Sequence, residues 1–250
     1  MTHSSKVVDR VYQQLKELVI SFEIPPGHQI HIADVADKLN VSVTPVREAL
    51  NRLLNEGYLA RSSGRGFYNR HIDIEELRDL FQLRGSIAIG AIHILLRTNL
   101  RDQVETLLIS PELSRNGESA SPFKLKICEN IIAAVGNHEI MRIYRNISDR
   151  MKFIWDIYSE SSVGAAQIEE YRHRLSEALL ERDMVACVEV IERNIETQIW
   201  MLDEVVQVGL ARAYGGGFTH MSRFSSHTGF RSPLHRSQTE GFLILEPSQT

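Results

Sequence analysis

The N-terminal third of the chain shows apolar residues at helical spacing, interrupted by short polar breaks. Apolar positions recur every three or four residues from Val8 to Phe22, which predicts a first helix. A shorter apolar stripe over 35–39 predicts a second helix, and Asn40 tolerates the left-handed conformation that a tight turn after it needs. A third stripe predicts a helix over 43–56. Two helices joined by such a tight turn are typical of a helix-turn-helix.

Two short segments after the third helix are strand candidates. Residues 58–61 and 67–70 are joined by a connection rich in Ser and Gly, and glycines at a hairpin tip supply positive φ. Ser42 is expected to cap the third helix with its hydroxyl group. Three helices and a small hairpin form the arrangement of a winged helix-turn-helix, which we place at residues 1–72.

The pattern is helical from Asp73 onward. Asp73 and Glu76 form a capping-box-like pair at the start of a long helix that runs to about Arg97. Further helices are predicted at residues 101–109, 123–135, 139–158, 165–181 and 184–208. No segment alternates like a strand, so residues 73–210 are predicted to form an antiparallel helical bundle. The predicted fold class is therefore mainly α, with an N-terminal winged helix-turn-helix followed by an all-helical domain.

Composition supports a globular protein of two domains. The chain has 250 residues, of which 43% are hydrophobic. It has no uninterrupted apolar run of about 18 residues and begins with a polar segment, so we expect a cytoplasmic protein with no membrane partner. Two cysteines are too few for a disulfide framework. Trp155 and Trp200 are predicted to lie in helix interiors, and the change to Gly, Ser and His predicts a disordered tail over 211–250.

Charge is distributed unevenly along the chain. The formal net charge is -4. Residues 1–70 carry nine Lys and Arg against seven Asp and Glu, whereas residues 71–212 carry 16 against 23. The N-terminal third is therefore the part that could face a polyanion such as DNA.

The predicted third helix has two distinct faces. Projection at about 100° per residue places apolar residues on one face, Val46, Leu50, Leu53 and Leu54. It places polar residues on the other, Thr44, Arg47, Glu48 and Asn51. The polar face suits the DNA major groove, where Arg binds guanine or phosphate and Asn pairs with adenine. Arg65 at the hairpin tip would add a contact to a DNA phosphate or to the minor groove. From the pattern alone, Arg47 could equally be a solvated surface charge.

Three motifs stand out in this domain, PPG at 25–27, TPVREAL at 44–50 and GRG at 64–66. Together they closely resemble the GntR family of bacterial transcription regulators. The resemblance implies a homodimer that binds a double-stranded, pseudo-palindromic DNA operator. It also implies DNA contacts at the positions that match the family's motif, which are Ser42, Thr44, Arg47 and Gly64, with Arg65 beside them.

The chain departs from that family at two positions. Val43 stands where arginine is usual, and Ala33 stands where relatives are often basic. Loss of a major-groove arginine changes base discrimination by about 1 to 3 kcal/mol, so the operator is expected to differ from the commonest family sequences.

The helical domain carries LRDLFQLR at 77–84 and AVGN at 134–137. These runs resemble the FCD type of effector domain, found in the FadR and VanR branches of the family. Many FCD domains hold a divalent metal with one Asp and three His. In this chain those positions fall on Lys124, Cys128, Arg172 and Asn194. Protonated Lys and Arg are not ordinary metal ligands, so we expect no metal cofactor.

The substituted positions suggest a different ligand chemistry. Lys124 and Arg172 would place positive charge where the metal usually sits, and could receive the carboxylate of a small-acid effector directly. Cys128 and Asn194 would be neutral neighbours, and Arg84 would be a further anion contact.

Alternatives remain open at this site and for the protein. Lys124 and Arg172 could instead turn outward or pair with acids such as Glu129 or Glu169. The expected function is an effector-responsive DNA-binding regulator, not an enzyme. The alternative is an effector-blind regulator whose helical domain only dimerises or binds a protein. An enzyme domain joined to a DNA-binding module is more remote, because the sequence offers no convincing nucleophile and base pair.

Overall fold

The structure is a computed structural model that describes residues 3–61, 66–97 and 127–215. Its helices are α1 (His3–Ile20), α2 (Ile32–Leu39), α3 (Val43–Asn55), α4 (Ile74–Arg97), α5 (Ile127–Val135), α6 (His138–Glu160), α7 (Ser162–Glu181) and α8 (Met184–Gly215). Its strands are β1 (Gln29–Ile30), β2 (Leu59–Arg61) and β3 (Phe67–Asn69). The predicted fold class, mainly α with an N-terminal helix-turn-helix, is confirmed.

Helices α1 to α3 and the three strands surround one apolar core. Buried residues from each of these elements form this cluster, including Leu15, Ile30, Val35, Leu50, Leu59 and Phe67. The strands are antiparallel in the order β1-β3-β2, with Leu59 opposite Asn69 and Arg61 opposite Phe67. Strand β1, which sequence reasoning did not predict, pairs with the far edge of β3. The hairpin therefore lies beside the helix-turn-helix as a wing.

The turn between α2 and α3 forms as the sequence indicates. Asn40 adopts the left-handed conformation, with φ 50° and ψ 51°, and its N–H bonds to the last carbonyls of α2. Ser42 has the extended backbone of an N-cap residue, but its hydroxyl makes no capping hydrogen bond. The capping role predicted for Ser42 is therefore wrong, and the hydroxyl does not serve the helix end.

Helix α4 forms the centre of the helical region. It packs against α5, α6 and α8, and its apolar residues enter two adjoining buried clusters. By length and composition alone, α4 is the described helix that could cross a membrane. Its buried stripe, from Leu77 to Leu95, instead contacts the other helices of the bundle. Its hydrophobicity is explained by its central position in the core.

Three predictions for the helical region differ from the structure or fall outside the residues that it describes. Helix α8 runs past the predicted end to Gly215, and the hydroxyl of Tyr214 donates to the carbonyl of Pro26 at 3.2 Å. The predicted start of a disordered tail at 211 is therefore too early. Trp200 was predicted to be buried, but it is 80% exposed, because it lies on the outer face of α8. The predicted helix at 101–109 lies outside the described residues.

Substitution of alanine for glycine is expected to have opposite effects on stability at two helical positions. An added Cβ at Gly164, in the first turn of α7, would collide with the carbonyl oxygen of Tyr158. At Gly90, in the middle of α4, it would meet nothing within 4 Å. We expect Gly164→Ala to lower the free energy of unfolding by about 1 to 3 kcal/mol. Gly90→Ala should raise it by about 0.5 to 1 kcal/mol. Urea denaturation checks both values, and shifts of the same sign would contradict the packing described.

Candidate nucleic-acid interface and effector cavity

Helix α3 is held in place through one face. Val46, Ala49, Leu50 and Leu53 are fully buried against the rest of the N-terminal core. Helix α3 contacts α1 most extensively and also packs on α2 and β2. The predicted separation of faces is thus present, and the opposite face is presented outward on a rigid element.

The outward face carries the residues that the sequence assigned to DNA contact. Ser42, Thr44 and Arg47 are exposed at the N-terminal end of α3. In the part of the chain that the structure describes, Arg47 has no hydrogen bond or ion pair to another side chain. Arg52 on the same helix differs, because it pairs with Asp9 and Glu56. Arg47 is therefore the α3 arginine whose donors are free for phosphate or a base edge.

A contact between α3 and the wing adds a residue that sequence reasoning missed. The guanidinium of Arg61 donates to the Oδ1 atom of Asn51 at 3.2 Å and lies 5.6 Å from the centroid of the Phe67 ring. Asn51 is therefore partly occupied rather than fully free to pair with adenine. The sequence feature that could have identified Arg61 as a candidate is its basic side chain at the end of the predicted strand 58–61, next to the hairpin connection. Gly64 and Arg65, predicted at the wing tip, lie outside the described residues.

A second concave site lies inside the helical region. It has an empty volume of about 440 Å³ and is formed where α4, α5, α6, α7 and α8 converge. The polar residues among its described lining are Arg84, Cys128, Tyr144, Tyr171, Asn194 and Gln198. Arg84, Cys128 and Asn194 were named from the sequence, and the structure brings these three together at one cavity.

Arg84 is the one charged side chain among the described residues that line this cavity. Its Nε donates to the hydroxyl of Tyr144 at 3.1 Å, and its Cζ lies 4.9 Å from the centroid of the Trp155 ring. Within the described ranges no carboxylate forms an ion pair with it. Burial lowers the pKa of Arg84, but the neighbouring Tyr144 and Cys128 groups raise it by more, so the guanidinium stays charged. Its two terminal NH₂ groups can receive an anion.

The two tyrosines of the cavity are neutral hydrogen-bonding groups. Burial raises the pKa of Tyr171 well above its ordinary value, and the adjacent Cys128 adds to this rise. Burial also raises the pKa of Tyr144, although Arg84 opposes the shift. The hydroxyl of Tyr171 lies 3.1 Å from the Sγ of Cys128. Neither phenol supplies a negative charge that would neutralise Arg84 at physiological pH.

Comparison with known proteins agrees with the N-terminal geometry. Residues 7–68 match the family described as "Bacterial regulatory proteins, gntR family". The chain is 26% identical over 203 residues to the Nta operon transcriptional regulator of Aminobacter aminovorans, covering 79% of this chain and 95% of that one. It is 21% identical over 209 residues to the HTH-type transcriptional repressor GlaR of Escherichia coli (strain K12), covering 78% and 95%. The family match over residues 7–68 and these relatives together support a transcriptional regulator of the GntR type.

Solved structures of other proteins share the overall fold of this chain. A putative transcriptional regulator GntR from Rhodococcus sp. RHA1 has a TM-score of 0.60 at 16% identity, covering 78% of this chain and 96% of that one. E. coli McbR/YncC has a TM-score of 0.56 at 19% identity, covering 82% and 99%. The overall arrangement of winged and helical parts is therefore shared with known regulators.

One predicted member of the effector site is placed elsewhere in the regulator. Arg172 does not line the cavity; it pairs with Glu169 one turn earlier on α7. This pairing is the alternative that the sequence left open, and it corrects the assignment of Arg172 to the effector site. The physical reason is that a carboxylate three residues away on the same helix offers a nearby partner in contact with water. Lys124 lies outside the described residues.

The residues at the cavity do not fit the divalent metal held by many FCD domains. The described residues contain no group of three His, Cys, Asp or Glu side chains that could hold a metal ion. His173, one residue from an expected ligand position, is exposed and pairs with Glu177 at 3.3 Å. A fixed guanidinium, Arg84, lines the site instead, and its charge would repel a cation.

Helix α6 connects the cavity to the winged part of the regulator. Tyr144 and Trp155 of α6 face the cavity. On the same helix, Asn146 donates to the carbonyl of Glu56 at 2.8 Å. Asp149 accepts a hydrogen bond from the hydroxyl of Tyr58 at 2.9 Å and pairs with Lys16 at 2.5 Å. A displacement of α6 would therefore act directly on the end of α3 and on β2.

The two parts meet through both polar and apolar contacts, and the rings of Phe22 and Phe153 pack with their centroids 4.9 Å apart. Glu76 at the start of α4 pairs with both Arg70 and Arg150. Burial, together with the positive charge of Arg150, lowers the pKa of Arg70 to about 10. A cavity with an empty volume of about 460 Å³ lies between these residues and α1. The interface therefore combines ion pairs with apolar packing.

Proposed function

We propose that this regulator binds a pseudo-palindromic operator as a homodimer and changes its operator affinity when a small organic acid enters the helical cavity. Residues 1–72 act as the DNA-binding domain and residues 73–210, with the extension to Gly215, as an FCD-type effector and dimerisation domain. The protein acts in the cytoplasm, where operator DNA lies, and is not an enzyme. The observation that carries the proposal is the charged Arg84 inside a cavity whose described lining holds no carboxylate.

Two features support the two halves of this proposal. On the DNA side, Arg47 is exposed, and the hydroxyl of Ser42 makes no capping hydrogen bond to α3. Both residues lie at the N-terminal end of a helix whose opposite face is fully buried. On the effector side, α6 carries cavity residues and interface residues within a few turns of each other. Binding in the cavity would shift the winged domains of a two-fold dimer relative to each other. Such coupling is typically about 1 to 3 kcal/mol.

Operator binding by the purified full chain tests the proposal. DNA from the region beside its own gene is titrated with protein, with and without a panel of small carboxylic acids, and binding is followed by fluorescence anisotropy. We expect saturable binding at two chains per duplex and a change in affinity with at least one acid. Tight binding that no acid changes would favour the effector-blind regulator. A lack of specific binding would contradict the DNA-binding assignment at its own gene.

The contact at Asp149 is expected to transmit the effector response. Asp149→Asn keeps the size of the side chain but removes the charge that Lys16 pairs with. We expect the variant to bind operator DNA and to lose most of the acid-induced change in affinity. Asp203→Asn is the matched control, because Asp203 is exposed and lies 3.8 Å from its partner Arg78. An unchanged acid response in Asp149→Asn would show that coupling does not pass through this contact.

A further inference from the structure

The described lining of the effector cavity contains one charged side chain among neutral ones, and this composition limits the class of ligand that fits it. One positive charge, Arg84, faces a described lining that is otherwise aromatic, aliphatic or neutral. The apolar part of this lining consists of Phe81, Ala88, Ile127, Trp155, Ile191 and Ile195. Two neutral amides, Asn194 and Gln198, also line it, and the Nε2 of Gln198 donates to the Oδ1 of Asn194 at 3.2 Å. The described lining therefore combines one charged group with neutral polar groups and an apolar wall.

Charge matching limits how many carboxylates the ligand can carry. The two NH₂ groups of Arg84, which pair with no carboxylate in the described part of the chain, form a fork that can bind one carboxylate through two parallel hydrogen bonds. Among the described lining residues, a second or third carboxylate would meet only apolar walls or neutral groups. Removing an unpaired carboxylate from water is strongly unfavourable. Dicarboxylic and tricarboxylic acids are therefore poor matches for this cavity.

The walls next to Arg84 favour a flat apolar body. The Trp155 ring, 4.9 Å from the Arg84 Cζ, and the Tyr144 ring, 5.5 Å from it, flank the guanidinium. An aromatic group attached to the carboxylate would lie among these rings and Phe81, where offset and edge-to-face packing is favourable.

We propose that the cavity binds an aromatic monocarboxylate, with its carboxylate on Arg84 and its ring among Trp155, Tyr144 and Phe81. This inference rests on the proposed function for the location of the effector site. It adds the ligand class, and it replaces recognition through a bound metal with direct recognition by one guanidinium.

Fluorescence of a single tryptophan tests the ligand class. The chain has two tryptophans, Trp155 at the cavity and the exposed Trp200. In full-length protein carrying Trp200→Phe, the emission reports on Trp155 alone. Benzoate is titrated against this protein, with benzamide as the neutral analogue of the same shape and citrate as the tricarboxylate. We expect benzoate to change the emission saturably and to bind roughly 10- to 100-fold more tightly than either comparison compound.

Substitution of Arg84 tests the assignment of the carboxylate. In the same background, Arg84→Gln is expected to weaken benzoate binding roughly 10- to 100-fold and to leave benzamide binding little changed. Arg84→Lys should recover part of the loss, because it restores the charge without the fork. Arg174→Gln is the control, since Arg174 is exposed on α7 and pairs with Glu170. Operator binding without acid verifies that each variant is folded.

The outcomes separate this inference from the proposed function. Citrate binding as tightly as benzoate, or benzamide binding equally well, would overturn the ligand class, and these comparisons need no substitution at Arg84. Benzoate binding that Arg84→Gln leaves unchanged would overturn the assignment to Arg84. Benzoate bound through Arg84 without any change in operator affinity would support the ligand class and contradict effector control. Release of the operator by another acid, with no benzoate binding, would support effector control and contradict the ligand class.

Discussion

Replacing Arg47 by alanine is expected to weaken operator binding by about 1 to 3 kcal/mol, roughly 5- to 150-fold in Kd. Arg47 is exposed at the outer face of α3, and within the described part of the chain no other side chain competes for its donors. The fold should be unaffected, because the side chain makes no buried contact. Fluorescence anisotropy with operator DNA at several salt concentrations measures both the affinity and its salt dependence.

The salt series also identifies what Arg47 contacts. If it binds phosphate, the slope of log K against log salt should fall by about one in Arg47→Ala, with similar losses on specific and random DNA. If it binds a guanine edge, the loss should be confined to the operator. Arg142→Ala is the matched control, because Arg142 is exposed at the start of α6 and pairs with Glu139. An affinity within twofold of the unaltered protein would remove Arg47 from the interface.

Replacing Leu53 by alanine is expected to lower the stability of the winged domain by about 2 to 5 kcal/mol. The Leu53 side chain is 0% exposed and lies at the centre of the cluster that joins α1, α3 and the wing. Truncation leaves a cavity behind the outward face of α3, so operator binding should be lost at a lower urea concentration. Far-UV circular dichroism and operator binding, both followed in urea, measure the change.

The same variant tests the proposed division into two domains. Leu53 belongs to an apolar cluster separate from those of the helical region, where Trp155 lies. In the Trp200→Phe background, Leu53→Ala should therefore lower the urea midpoint reported by Trp155 fluorescence less than it lowers the urea midpoint for loss of operator binding. Leu180→Ala, at a leucine 55% exposed on α7, should change stability by about 0.5 kcal/mol or less. Transitions that shift together would show that the two parts unfold as one unit.

The sequence alone was sufficient for the three helices and the hairpin of the DNA-binding part, but not for strand β1. The apolar stripe of α3, the left-handed Asn40 and the hairpin after Gly57 each depend on residues close together in the chain. Local periodicity and turn chemistry determine such features, because the interactions that stabilise them span only a few residues. The same reasoning located the helices of the second part, although α8 continues past its predicted end.

The neighbours of individual side chains were decided by the tertiary structure. Arg84 and Arg172 looked alike in the sequence as candidate anion contacts. Packing of five helices places Arg84 beside Trp155 without an acidic partner among the described residues, whereas Arg172 pairs with Glu169. The exposure of Trp200 was also decided by the tertiary structure, because this residue lies on the face of α8 that points away from the bundle. Helical spacing fixes which residues share a face, but the environment of that face depends on residues distant in sequence. The sequence by itself therefore determined the fold class and the separation of polar and apolar faces on α3, and only the tertiary structure determined which arginine faces the cavity.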